Sequence, residues 1–292
     1  MTRPRPAGGK RWLRRLFLES ASAALALALL VWSLTPVYNM LLIALDRDEG
    51  DIEFAGILWP PEPSLHSFHA VVTQSYWLVE DFWHQLGNSF FIALMTMGLT
   101  VSIGSLAAFA IGRMRFGRGW LLVNAPLLTY AVPASFLVIP FTRLMASYGL
   151  SNSLWAIVAA NVTFATPYAI LILRQYARLI PLELDEAARV DGASPVRVYR
   201  LIYLPLMAPA LAAVGTFALL LAWNEYLYQY VLLSSTRNMT VAVAIAQFFN
   251  SDEAPWNYMM ATALLYSLPP IAIFYALRRY MAAGLTRGAL KS

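Results

Sequence analysis

The chain has 292 residues, 59% of them hydrophobic and 13% charged, with a formal net charge of +5 and no cysteine. So little charge at this length, with a mean hydropathy of +0.58, excludes an ordinary soluble domain, and the lack of cysteine excludes a disulfide framework and thiol chemistry. Several apolar stretches reach the about 20 residues needed to cross a hydrocarbon core of roughly 30 Å, so the pattern is that of an all-α, polytopic membrane protein.

Taken in order, a basic tail at 1–17 leads into a first span at 18–45. Arg11, Arg14 and Arg15 before a small-residue apolar run resemble the start of a signal peptide. The apolar stretch continues past Pro36 to Leu45, too long for that, so it is expected to stay as an anchor. An acidic loop at 46–87 follows, then a core at 88–282 with spans at 88–111, 120–145, 153–174, 208–233 and 258–282, and a tail at 283–292. Six spans place both termini on one side. Eighteen of the 21 Lys and Arg fall there too, all but Arg47, Arg143 and Arg237. By the positive-inside rule that side is the cytoplasm, so the charge reports topology and no nucleic-acid partner is expected.

Between the fourth and fifth spans, residues 181–205 form a polar loop that reads as two short helices. Pro181 suits a first helical turn, and Glu183, Asp185 and Glu186 follow where the helix dipole favours negative charge. Gly192 stands where the helix should end, since glycine accepts the left-handed conformation of a C-terminal cap. Ser194 reads as an N-cap and Pro195 as the first residue of a second helix, Val196 to Tyr203, after which Pro205 and Pro209 bend the chain into the fifth span. On pattern alone, this is an amphipathic hairpin lying on a membrane surface, or a docking element.

The run Glu186-Ala187-Ala188-Arg189-Val190-Asp191-Gly192, followed after nine residues by Ile202-Tyr203-Leu204-Pro205, resembles position for position the E-A-A-x3-G-x9-I-x-L-P loop of bacterial importer permeases. These are the membrane subunits of ATP-binding-cassette uptake systems. Three further stretches resemble the carbohydrate-uptake branch, in particular its maltose-type second permease: Ala222-Trp223-Asn224-Glu225-Tyr226, the tail Ala283 to Lys291, and Pro63-Ser64-Leu65-His66-Ser67-Phe68. In the last, Ser67 and Phe68 replace the family's usual Asn and Tyr. The similarity extends over most of residues 20–290.

The resemblance implies a type I importer permease fold with six transmembrane helices. It implies that Glu186, Ala187, Ala188, Asp191, Gly192, Leu204 and Pro205 couple to a separate ATPase. It further implies a homologous second permease in a heterodimer, two ATPase subunits, an external solute-binding protein, a sugar substrate and a bacterial inner-membrane location with both termini cytoplasmic. The tail from Thr286 to Ser292 would reach the interface between the ATPase subunits; its small residues suit an extended insertion or a disordered end. Loop 234–257 would correspond to a segment that contacts the binding protein. Within the family, a polyamine, phosphate or other polar solute is the alternative cargo.

No cofactor is expected in this chain, because ATP and Mg are used by the partner ATPase. The only Gly-Lys pair, Gly9-Lys10, precedes Arg11 and lacks the spacing of a phosphate-cradling loop. No enzymatic activity is expected either, since the spans contain no histidine to serve a nucleophile. His66 and His69, with His84 nearby, read as a solvated segment before a metal site. A secondary transporter would need repeats and coupling charges that are not evident.

Candidate groups lining a translocation path are Tyr130, Asn161, Thr163, Tyr168, Asn224 and Glu225. Each suits a path wall or an ordinary contact between membrane helices. On a continuous fifth span from Pro209, at roughly 1.5 Å per residue, Glu225 falls about 24 Å along the helix, in the outer part of the bilayer. There it reads either as an interfacial residue in the aromatic belt of Trp223, Tyr226, Tyr228 and Tyr230, or as a polar wall or partner contact. Pro133, Pro140, Pro167, Pro269 and Pro270 mark expected kinks.

Overall fold

A computed structural model describes residues 8–47, 58–113, 128, 130–250 and 255–289. Within them the chain is helical, with no strand. Helix α1 runs Gly8–Leu45, α2 His66–Thr73, α3 Phe82–Arg113, α4 Val138–Ser147, α5 Leu154–Ala177, α6 Glu183–Val190, α7 Pro195–Val198, α8 Leu204–Trp223, α9 Leu227–Leu232, α10 Val241–Gln247 and α11 Trp256–Ala289. Five helical stretches among the described residues are long and apolar enough to cross a membrane. Of the predicted span at 120–145, residues 120–127 and 129 lie outside the described residues, and the rest is not one continuous helix. Its described end is a short 3-10 turn at Ala134–Leu137, following Pro133, that leads into α4.

The bundle is built on α3, which packs along α5 and α8; α5 also lies on α8, and α8 on α11. Small residues permit the closest approaches, as expected where membrane helices associate by packing. A Cβ on Gly104 of α3 would lie 2.9 Å from the Cβ of Ala169 on α5, and one on Gly215 of α8 would lie 3.3 Å from Val101. Three apolar clusters run along the bundle. One joins Phe109, Leu173, Tyr203 and Met207 at the arginine-rich end. A second joins Ile92, Ile157, Leu219 and Trp223. The third joins Ala44, Val71, Phe82, Val241 and Met259 at the opposite end. Among its described side chains, helix α1, which packs on α11, is buried over Leu42–Leu45 and exposed from Arg15 to Asn39, with Trp32 at 82%. Such a surface belongs against lipid or protein rather than water.

Four boundaries differ from the sequence reading. Helix α1 begins inside the predicted tail, at Gly8. The second hairpin helix and the fifth span are one continuous body from Pro195 to Trp223, with a π turn at Tyr199–Tyr203 that closes a Leu204 N–H to Tyr199 carbonyl bond. The cause is Pro205, which has no N–H and whose ring collides with the carbonyl four residues back; a wider turn relieves this without ending the helix. The fifth span, predicted as continuous to 233, breaks after Trp223. Finally, the described part of the tail is helical to Ala289, an extension of the last span.

Candidate functional site: the hairpin at the basic end

The polar loop folds as anticipated around Gly192. Helix α6 ends in a Schellman cap: the Ala193 N–H bonds the Ala188 carbonyl at 2.9 Å and the Gly192 N–H bonds the Arg189 carbonyl at 3.0 Å. Gly192 has φ +77°, in the left-handed region. Ser194 caps α7, its Oγ accepting from the Arg197 N–H at 3.4 Å, and Pro195 takes the first helical position. Pro181 is not in the first turn; it precedes Leu182, whose carbonyl accepts from the N–H groups of Asp185 and Glu186.

The site residues divide into two groups. Glu186, Ala187, Asp191 and Gly192 are exposed and Ala188 is half-buried, so together they present one surface at the tip of the hairpin. Leu204 and Pro205 lie instead in the first turn of α8, next to the buried Tyr203, where they join the hairpin to the span. Along the hairpin and the π turn that follows it, three apolar side chains have little cover within the chain: Val190 is 88% exposed, Leu201 69% and Val196 64%.

Sequence reasoning assigned the acidic first turn of α6 to the helix dipole and missed a specific partner. Asp185 turns inward, and its Oδ2 lies 2.9 Å from Nε of Arg113, the last residue of α3; both side chains are 6% exposed. This is an ion-pair contact whose N–H is not aligned for a hydrogen bond. The same guanidinium donates from Nη2 to the Ile180 carbonyl at 3.1 Å. Nothing in either local sequence marks the pair, because its partners come from different helices.

The six path candidates do not form one cluster. Asn161 is 1% exposed, buried in the bundle, with its Nδ2 unpartnered among the described residues. Thr163 is exposed but bonds its own helix, donating to the Ala159 carbonyl at 2.8 Å. The Tyr130 hydroxyl donates to the Phe164 carbonyl at 2.5 Å, and the Tyr168 ring packs at 4.3 Å on Phe217. Asn224 and Glu225 sit in the break between α8 and α9. The Asn224 Nδ2 donates back to the Leu220 carbonyl at 2.8 Å, while the Glu225 carboxylate accepts from the N–H groups of Tyr228 at 2.7 Å and Gln229 at 3.2 Å. Glu225 therefore caps the start of α9, a role that neither sequence reading of this residue included. The signal was two adjacent polar residues in an apolar run, which offer the backbone an alternative to continuing the helix.

The opposite end is tied together by side-chain amides. Asn152, itself left-handed at φ 52°, accepts at Oδ1 from the N–H of Ser234 at 2.9 Å and of Ser235 at 3.3 Å, and its carbonyl accepts from Asn238 Nδ2 at 2.5 Å. Asn88 Nδ2 donates to the carbonyls of Arg237 and Met239. His66 and His84 each bond within this end, to the Tyr258 hydroxyl and the Arg237 carbonyl.

A bundle of bilayer-length helices, one broken near its end and two joined by a polar hairpin on the basic side, defines a multi-pass membrane permease. The chain belongs to the family of binding-protein-dependent transport system inner membrane components, whose model matches residues 100–287. It is 29% identical over 286 residues to the inner membrane ABC transporter permease protein YcjP of Escherichia coli, covering 98% of this chain and 99% of that one. It is 35% identical over 206 residues to the trehalose transport system permease protein SugB of Mycobacterium tuberculosis, covering 70% of this chain and 75% of the relative. Its fold matches a chain in the crystal structure of a bacterial ABC transporter that imports the acidic polysaccharide alginate, with a TM-score of 0.76 over 95% of this chain and 99% of that one at 19% identity. The chain is thus an ATP-binding-cassette importer permease, in the branch its motifs resemble.

Proposed function

We propose that this chain is a transmembrane subunit importing a sugar or sugar-like solute, delivered by an external binding protein and driven by a separate ATPase that docks on the α6–α7 hairpin. The observation that carries the reading is the exposed tip itself: Glu186, Ala187, Asp191 and Gly192 are exposed, as are the side chains of Val190 and Val196 in the same hairpin. A small-residue, partly apolar surface held on a capped turn is suited to close approach by a second protein. Relatives named for trehalose and diacetylchitobiose uptake support a sugar as cargo.

In this reading the chain pairs with a second, homologous permease, and both rest on two ATPase subunits that bind ATP and Mg. Closure of the ATPase pair draws the hairpins together and the spans open outward to receive the solute. Hydrolysis then resets them inward. This chain's residues bind, orient and transmit; none does covalent chemistry. The basic end faces the cytoplasm, with both termini on that side. The test is purification of the tagged chain from its native membranes in mild detergent, with mass spectrometry of whatever accompanies it. A Walker-motif ATPase and a second permease are expected at stoichiometric amounts, and the chain emerging alone under several detergents would overturn the reading.

A further inference from the structure

The cytoplasmic end of α3 is held by both limbs of the hairpin. Ser105, Phe109 and Arg113 recur at intervals of four residues and so form one stripe on that helix. Each meets the hairpin differently. The Ser105 hydroxyl lies 2.7 Å from the hydroxyl of Tyr199. The Phe109 ring packs edge-on against Tyr199 at 5.3 Å and Tyr203 at 5.0 Å. Arg113 takes the other limb, through its ion pair with Asp185 of α6 and its bond to the Ile180 carbonyl.

The two limbs differ in how they join the bundle. The second continues through the π turn directly into α8, so a helix carries its motion. The first is linked to α5 only by residues 178–182, a stretch of turns and bends with no helix of its own. Helix α6 presents Glu183, Glu186 and Arg189 to solvent and buries Asp185. A push on the tip would be absorbed by that connector unless something spans it, and the buried pair spans it. A desolvated, oppositely charged pair is costly to separate, so its members move together.

We propose that Arg113 is a positioning residue that locks α6 to the end of α3, so that displacement of the hairpin by the ATPase moves α3, and with it the α5 and α8 helices packed along it. This rests on the ATPase-docking reading above. The experiment uses the complex that co-purifies with the tagged chain, compared by hydrogen–deuterium exchange with and without ATP plus vanadate. In the wild type, peptides from the hairpin and from 105–113 both change exchange on trapping. In Arg113→Gln the hairpin still responds, while the response at 105–113 falls by about threefold or more, within the range by which residues along a coupled network modulate coupling. Arg113→Lys, which keeps the charge on a narrower head, restores part of the response, as a merely space-filling role would not. An undiminished response at 105–113 in Arg113→Gln overturns the proposal. If Arg113→Gln does not assemble, Asp185→Asn, nearly the same size, makes the same comparison, and an undiminished response there overturns it equally. Absence of any ATPase from the wild-type preparation strikes the docking reading instead, so the two failures are distinguishable.

Discussion

Substitution of Gly192 probes the hairpin through its backbone alone. A Cβ built on this residue meets nothing within 4 Å, so no side chain of this chain is displaced. What changes is the conformational cost at φ +77°. An L-residue held in the left-handed region costs roughly 1–2 kcal/mol, and a β-branched one lies at or above the top of that range. Gly192→Ala should therefore destabilise the capped turn by about 1 kcal/mol and Gly192→Val by about 2 kcal/mol. At roughly 1.4 kcal/mol per tenfold, the fraction of chains presenting the Schellman-capped tip falls relative to alternatives by about 5-fold for Ala and about 30-fold for Val. Asparagine tolerates this region, so Gly192→Asn should stay close to wild type although it adds a side chain of comparable bulk to valine. The assay is the amount of ATPase recovered with each variant at matched membrane levels of the tagged chain, together with ATP-driven uptake by the same membranes. Membrane insertion is unchanged throughout, since the spans are untouched. The expected order is Gly, Asn, Ala, Val. Normal recovery and uptake with Val would refute the argument. Equal damage by Asn and Val would refute it differently, by showing that volume on the docking face, not turn geometry, is what the site requires.

Three further outcomes follow from named contacts. Gly104→Leu should lower the thermal stability of the detergent-solubilised protein by about 1–3 kcal/mol through overpacking, because even a Cβ there lies 2.9 Å from Ala169; Ala169→Gly should recover part of the loss when the two are combined. Asn152→Gly keeps the left-handed backbone and deletes the bonds to Ser234 and Ser235. It should raise hydrogen exchange and protease sensitivity across residues 233–240 while leaving the α3–α5 contact unchanged. Glu225→Leu should loosen α9 by about 1–2 kcal/mol, the range of a lost cap, read as faster exchange at Tyr228 and Gln229. Glu225→Gln, which retains an acceptor oxygen, should do so less; exchange in Glu225→Leu no faster than in the wild type would show that the cap is not held by this side chain.

Much of this architecture was legible because a bilayer leaves few options. Backbone groups in hydrocarbon must be satisfied within the segment, so a long apolar run is nearly always a helix. The second, fourth and sixth spans emerged as α3, α5 and α11 accordingly. The hairpin was legible for a different reason. Gly192, Ser194 and Pro195 each have a narrow conformational use, and their order spells the end of one helix and the start of the next. The misplaced limits share one cause, the rule that hydropathy registers the presence of a helix and not its continuity. Pro205 suggested a boundary, yet a π turn absorbed it and the helix carried on. Trp223 lies in a long, mostly apolar run, yet the helix stops there because the adjacent Asn224 and Glu225 bond locally to the backbone.

Pairs between distant helices are where the sequence is silent, and they decide how the site works. Asp185 looks like any acid in a first helical turn, and Arg113 like any arginine obeying the positive-inside rule. Only packing reveals that the two meet out of solvent. The same packing separates two kinds of residue that the motif lists side by side. Glu186, Ala187 and Gly192 are exposed, where the proposed ATPase would dock; Leu204 and Pro205, with the buried Tyr203 beside them, join the hairpin to the bundle. A docking tip without rigid attachment would bind its partner and transmit nothing, whereas a rigid attachment without the tip would have nothing to transmit. Substitutions at the two sets should therefore fail in different ways: loss of ATPase recovery at Gly192, and retained ATPase with a silent α3 at Arg113.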